Sequence, residues 1–364
     1  MLVDGVPYRA IWLDDDGWSV RIIDQTRLPW EWHVPRLTCL SEAADAISAM
    51  RVRGAPLIGA TAAFGLCLGL REDASNAALE QGRAELLATR PTAVNLRWAL
   101  EVLTESVQPL PLSDRVAAAY ARAAAIAEAE AATCRAIGDH GLALIREAAD
   151  AKCEGEPVNV LTHCNAGWLA TVDWGTALAP VYRAHDAGIP VHVWVDETRP
   201  RNQGASLTAW ELGRHGVPHT LVADNAGGHL MERGLVDLCL VGTDRTTRNG
   251  DVANKIGTYL KALAAADNNV PFYVALPGST IDWETASGAD IPIEERAAEE
   301  VTHIPGRTDA GEITRVALGP EGTPAANPAF DVTPAHLVTA LVTDRGVSDP
   351  TTEALAGLYP ERAG

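Results

Sequence analysis

Lysine is scarce in the 364-residue chain. Only Lys152, Lys255 and Lys261 among its 29 basic residues are lysine, the rest being arginine. The base composition of coding DNA can produce such a skew by itself, but it makes each lysine easy to interrogate. Positive charge is short overall, with 29 Lys and Arg against 48 Asp and Glu and a net charge of −19. That balance excludes sequence-independent binding to nucleic-acid backbones or anionic membranes, because the mean field repels them. A small anion can bind only where a few cations are gathered. The six cysteines include no CxxC pair, which excludes zinc-finger spacing and points to free buried thiols in a reducing compartment. Residues 1–10 carry Asp4 and no apolar core, so no signal peptide is expected and a cytoplasmic location is. The most apolar stretch, 56–70, is about 15 residues long, short of the ~20 that span a bilayer. No GxGxxG follows a strand, and GxxxxGK[ST] and GxSxG do not occur. A dinucleotide fingerprint, a P-loop and a hydrolase elbow are therefore unsupported. The histidines are scattered, and His163 beside Cys164 lacks metal-ligand spacing.

What is present is an ordinary globular composition, 47% hydrophobic and 21% charged, long enough for two domains with sizeable cores. Residues 8–13 and 19–23 are β-prone runs around the turn Asp14-Asp15-Asp16-Gly17. Helical patterning starts near Ser41, a candidate N-cap, and continues to about 150, with 113–150 forming one long helix or two. Beyond 157 the pattern alternates. Short apolar runs at 158–161, 191–195, 220–222, 235–241 and 271–276 read as buried parallel strands. Helical patterns at 172–187, 206–214, 228–233, 253–266 and 335–342 lie among and after them. The expected organisation is α/β. A mainly helical N-terminal domain with a small β element covers 1–150. A Rossmann-like doubly wound parallel sheet covers 151–364.

In such a sheet, ligands sit at the carboxyl ends of the strands. Three strand ends here run into polar, reactive segments, Thr162-His163-Cys164-Asn165, Asp196-Glu197-Thr198-Arg199 and Gly242-Thr243-Asp244-Arg245. Two readings stand for Cys164: a thiol activated near a helix N-terminus, or a packed small hydrophobe. Asp244 is either a turn residue or an acid–base carboxyl whose pKa an apolar setting raises. Asn254-Lys255 reads as a helix start, favourable to an anion. Arg51-Val52-Arg53-Gly54-Ala55-Pro56 is the strong basic cluster of the N-terminal half. Gly54 there permits close backbone approach, and Pro56 suits a first helical turn. The alternative for that cluster is a solvated charge pair. Arg90-Pro91-Thr92 is a similar helix-start signal.

Six motifs in order carry a resemblance: Val52-Arg53-Gly54-Ala55-Pro56-Leu57-Ile58-Gly59, Arg90-Pro91-Thr92-Ala93-Val94-Asn95-Leu96, Thr162-His163-Cys164-Asn165-Ala166-Gly167, Glu197-Thr198-Arg199-Pro200-Arg201-Asn202-Gln203-Gly204-Ala205, Gly242-Thr243-Asp244-Arg245 and Gly250-Asp251-Val252-Ala253-Asn254-Lys255-Ile256-Gly257-Thr258-Tyr259. Together they resemble the methylthioribose-1-phosphate isomerases. The larger family includes ribose-1,5-bisphosphate isomerases and the regulatory subunits of the translation-initiation nucleotide exchange factor. The resemblance implies a homodimer acting on a small phosphorylated sugar, with no metal or organic cofactor. It implies Cys164 and Asp244 as the catalytic pair. It implies Arg53, Gly54, Ala55, Arg90, Gln203, Asn254 and Lys255 as substrate-binding residues. Arg53-Gly54-Ala55 and Asn254-Lys255 come from different halves, which places the expected phosphate site where the halves meet.

The implied reaction is aldose–ketose isomerisation of 5-methylthioribose 1-phosphate, as in methionine salvage. A phosphorylated anomeric carbon offers no aldehyde for a Schiff base, so Lys255 suits a phosphate partner better than a nucleophile. Asp244, kept protonated by a dry site, would open the ring, and Cys164 would assist transfer of hydrogen from C2 to C1. The alternatives are 5-deoxyribose 1-phosphate, ribose 1,5-bisphosphate, or a non-catalytic regulatory subunit. Departures from the family pattern include Thr243, where Ala is usual, Asn202, where an apolar residue is usual, and Ser206, where Arg is common.

Overall fold

The computed structural model describes residues 1–90 and 94–362. Two compact units are present, Met1–Ala136 with Ala166–Ala179, and Ile137–Asn165 with Pro180–Gly364. The expected boundary at 150/151 lies at the end of a single 39-residue helix, Leu112–Asp150, whereas the observed division falls inside it. The Ala166–Ala179 segment belongs to the first unit because its backbone bonds there. The Val172 carbonyl accepts from the Ala10 N–H at 3.0 Å, and the Leu169 carbonyl accepts from Gln25 Nε2 at 2.6 Å.

In the first unit the strands Ile11–Leu13, Val20–Ile22 and Arg36–Leu37 form an antiparallel sheet. The acidic turn closes its first hairpin: Asp16 Oδ1 accepts from the Trp18 and Ser19 N–H groups at 3.0 and 2.9 Å. Four helices follow, Leu40–Ser48, Ala55–Glu72, Asn76–Thr89 and Val94–Val107. The apolar stretch at 56–70 forms most of Ala55–Glu72, which is buried on nearly all sides. A helix apolar all round is a core helix when it is too short to span a bilayer. No helix among the described residues is long and apolar enough to cross a membrane. Ser41 is not the N-cap. The helix begins at Leu40 with Cys39 as N-cap and no side-chain cap bond. Glu42 instead reaches back to accept the Thr38 N–H at 2.6 Å.

The second unit is built on a seven-stranded sheet. Its order is Gly346–Ser348, Ala340–Thr343, Phe272–Ala275, Leu238–Val241, Val158–Thr162, Val191–Asp196, His219–Val222. All pairings are parallel except that of the edge strand Gly346–Ser348. This is the doubly wound Rossmann order, with the switch point between Val158–Thr162 and Leu238–Val241. A second, mixed sheet joins Ile281–Asp282, Arg245–Thr247, Val252–Lys255 and Phe330–Thr333.

Three helical readings are corrected. In 253–266 the first residues belong to the strand Val252–Lys255, and the helix starts at Thr258. Pairing with Arg245–Thr247 on one side and Phe330–Thr333 on the other fixes that strand. In 335–342 a single turn, Ala335–Leu337, leads into the sheet strand Ala340–Thr343, whose apolar residues are buried on both faces. In 172–187 only Ala179–Asp186 is helical, because Gly175 makes a β-bridge to Gly167.

Candidate active site

The strands flanking the switch point, Val158–Thr162 and Leu238–Val241, pair through Val160 with Leu238 and Leu161 with Cys239. Cys164 leaves the carboxyl end of the first and Asp244 that of the second. Topology therefore places after neighbouring strand ends two residues that stand 80 positions apart in the chain.

Cys164 is buried, 9% exposed, with φ +69°. That left-handed conformation is unusual for a residue with a Cβ. Both of its backbone polar groups are clamped. Its N–H donates to Thr198 Oγ1 at 2.8 Å, and its carbonyl accepts from Thr208 Oγ1 at 2.8 Å. Asp244 lies on the turn before the strand Arg245–Thr247, its N–H donating to the Ala253 carbonyl at 3.0 Å. The Thr243 hydroxyl stitches this turn, within 2.8 Å of the Arg245 carbonyl and 2.9 Å of the Ala253 carbonyl. Asp244 itself is exposed, so the dry setting expected for it is absent from the folded chain. The turn is held by backbone and Thr243 bonds.

Asn254 and Lys255 sit on a buried strand, not at a helix start. Lys255 is 6% exposed, and its Nζ lies 5.4 Å from the centroid of the Phe330 ring. Burial pushes its pKa below the usual lysine value, against the opposing charges of Cys164 and Asp244. Arg296 adds to the downward push and Glu300 opposes it. The Lys255 ammonium thus feels both the thiol and the carboxylate. Asn254 Nδ2 donates to Thr258 Oγ1 at 3.0 Å. Gln203 is 8% exposed, and its Oε1 is buried without a hydrogen-bond partner among the described residues. Such an orphaned acceptor is costly unless a ligand group satisfies it.

Sequence reasoning missed the polar scaffold beneath this set. His163 is fully buried and directs Nδ1 to Asp196 Oδ2 at 2.9 Å and Nε2 to the Ile256 carbonyl at 2.8 Å. Lys261 Nζ lies 3.1 Å from the same Asp196 oxygen and donates to the Asp224 carbonyl. His163, Asp196 and Asp224 offer ligand atoms close enough to hold a cation, and the Lys261 ammonium already supplies the positive charge there. On the other side, Asn165 Nδ2 donates to Thr208 Oγ1 at 3.1 Å and to the fully buried Glu211 at 2.7 Å. The scarcity of lysine singles out Lys255 in the sequence and gives Lys261 no role of its own. Nothing local marks Thr208 or Glu211, which come from the helical stretch that follows Gly204.

The other candidates lie in the first unit. Gly54 is the N-cap of Ala55–Glu72 at φ +91°. A Cβ there would fall 2.1 Å from the Ala170 carbonyl oxygen, so the close approach foreseen for this glycine is to protein backbone. Arg53 and Ala55 flank it and are partly buried. Arg90 caps the C-terminus of Asn76–Thr89. Pro91, Thr92 and Ala93 lie outside the described residues, with the helix start read there.

The strand order defines a Rossmann-like α/β protein, with Cys164 and Asp244 following the two strands that flank its switch point. Residues 51–350 match the Initiation factor 2 subunit family, and the chain belongs to that family. It is 64% identical over 363 residues to a protein of Methylorubrum populi named methylthioribose-1-phosphate isomerase, covering 100% of this chain and 99% of that one. It is 65% identical over 364 residues to the protein of that name from Rhodospirillum centenum, covering 100% and 97%. Among solved structures it resembles 5-methylthioribose 1-phosphate isomerase from Pyrococcus horikoshii OT3, with TM-score 0.85, 40% identity and coverage of 98% and 96%. It also resembles the translation initiation factor eIF-2B, subunit delta, from A. fulgidus, with TM-score 0.83, 38% identity and coverage of 97% and 100%.

Proposed function

We propose that the protein is an aldose–ketose isomerase converting 5-methylthioribose 1-phosphate to 5-methylthioribulose 1-phosphate, a step of methionine salvage. The observation that carries this reading is full-length identity of 64–65% to proteins of that name. The gathering of Cys164, Asp244 and Lys255 supports it. Asp244 protonates the ring oxygen as the bond from C1 to that oxygen breaks. Because Asp244 is exposed, the bound sugar itself supplies the desolvation that favours its neutral form. Hydrogen then moves from C2 to C1 and the C2 hydroxyl becomes the ketone as its proton returns to Asp244, so substrate and product are isomers and no external oxidant or reductant is needed. Cys164 assists that transfer. Lys255 meets the phosphate as a buried charge, and Gln203, Asn254, Arg53, Gly54, Ala55 and Arg90 complete the binding set. The active form is a cytoplasmic homodimer.

The likeness to the A. fulgidus factor supports a second reading, a non-catalytic regulatory subunit. One assay separates the readings. Purified protein is incubated with methylthioribose 1-phosphate, 5-deoxyribose 1-phosphate and ribose 1,5-bisphosphate, and ketose is measured. The highest kcat/KM falls on the methylthio sugar under the proposal. Turnover of none favours the regulatory reading. Deuterium entering C1 from solvent would select an enediol-type path over direct hydride transfer.

A further inference from the structure

Thr198 combines two features that rarely meet. It is β-branched, yet its φ is +66°, a region in which a branched Cβ crowds the backbone. Strain of this kind persists where the surroundings over-determine it, and it gathers at functional sites. Every polar group that could hold Thr198 is engaged. Its N–H donates to Asp224 Oδ1 at 2.6 Å, its hydroxyl donates to the Asp196 carbonyl at 3.0 Å, and the same oxygen accepts the Cys164 N–H. The Asp196 carbonyl in turn packs against Gly204, where a Cβ would stand 1.7 Å from it.

We infer that Thr198 and Thr208 are positioning residues that hold Cys164 in its left-handed conformation and so aim its thiol. One hydroxyl takes the N–H of Cys164 and the other gives to its carbonyl, so rotation about the Cys164 backbone breaks one or both bonds. Both threonines are fully buried, and water does not replace them. Asp224 and Asp196 anchor the first clamp, and Asn165 with Glu211 anchors the second. The inference rests on the proposed role of Cys164.

The test uses Thr198→Val and Thr208→Val, which keep the branched shape and remove the hydroxyl, with Thr198→Ser and Thr208→Ser as conservative rescues. A misplacement of about 1 Å can cost about 100-fold in rate. Each valine variant is expected to lose at least about tenfold in kcat, with KM within about threefold, while each serine variant stays within about threefold of the parent. A readout independent of turnover is the rate at which iodoacetamide alkylates Cys164, followed by peptide mass spectrometry. The valine variants should change it at least about threefold and the serine variants should not. Folded valine variants that keep parental kcat and alkylation rate overturn the inference. If Thr198→Val does not fold, the Thr208 pair decides by the same thresholds. Cys164→Ser separates the two claims. Retained turnover there removes the role of the thiol, whereas a dead Cys164→Ser beside fully active valine variants removes only the clamp.

Discussion

Replacing Lys255 with Met separates substrate binding from stability. Lys255 is 6% exposed, and its ammonium lies 5.4 Å from the Phe330 ring centroid. Losing its charge-assisted bond to a phosphate costs about 1.5–3 kcal/mol, which is about 10- to 150-fold in KM. Stability responds differently. The cation–π contact contributes about 0.5–2 kcal/mol, and a Met thioether against the same ring returns about 0.3–1.5 kcal/mol. Relief of the buried charge adds to the favourable side. The net change is within about 1 kcal/mol, or within about 4 °C in Tm for a unit of this size. The pH dependence has a definite sign. Burial lowers the folded-state pKa of Lys255 below its unfolded value, so the unfolded chain binds the proton more tightly. The burial penalty is fully present below the folded pKa and fades as pH rises toward the unfolded value of 10.5. Any stability advantage of Lys255→Met should therefore be largest near neutral pH and shrink on the alkaline side. Initial rates on methylthioribose 1-phosphate and thermal melts between pH 7 and 10 measure both. An unchanged KM, or a Tm loss beyond about 8 °C, would refute the assignment of Lys255 to substrate and not to the core.

Lys261→Met should behave in the opposite way. It breaks a buried pair with Asp196 at 3.1 Å, so urea titration should show a loss of about 3–5 kcal/mol. Asp244→Asn changes an exposed side chain, so stability should stay within about 0.5 kcal/mol while kcat falls at least about 100-fold; near-normal kcat would remove it from the mechanism. Glu300 accepts from Arg296, Arg201 and Asn327, which together overcome burial and hold its pKa at about 2, below the ordinary 4.5. Its stabilisation is present above the unfolded value and is lost as pH falls toward about 2. Melts between pH 6 and 3 should decline less steeply for Glu300→Gln than for the parent, and equal slopes would contradict this.

Five of the seven sheet strands were legible as short apolar runs, and the central ones stand out at 158–161, 191–195 and 271–276 because a parallel strand covered on both faces needs a continuous apolar run. The strand Val252–Lys255 was not legible. Its residues are compatible with a helix, and pairing with Arg245–Thr247 and with Phe330–Thr333, some 75 positions later, selects the extended form. Ala340–Thr343 fails in the same way, since its pairing with Phe272–Ala275 is non-local.

The candidate site divides along the same line. Cys164, Asp244 and Lys255 were visible as reactive residues after apolar runs, and the motifs around them carried the resemblance to the family. Local chemistry is enough for that, because residue type and spacing reside in the chain itself. Geometry is not. The left-handed Cys164, its two threonine clamps and the His163–Asp196–Lys261 cluster depend on side chains up to 98 positions apart meeting in a dry interior. Asp244 is exposed, and no pattern in the chain announces it. Sequence by itself determined the fold class, the family and which residues could react. Tertiary structure decided their conformation, burial and partners, because those are set by which strands adjoin and not by the order in which they are written.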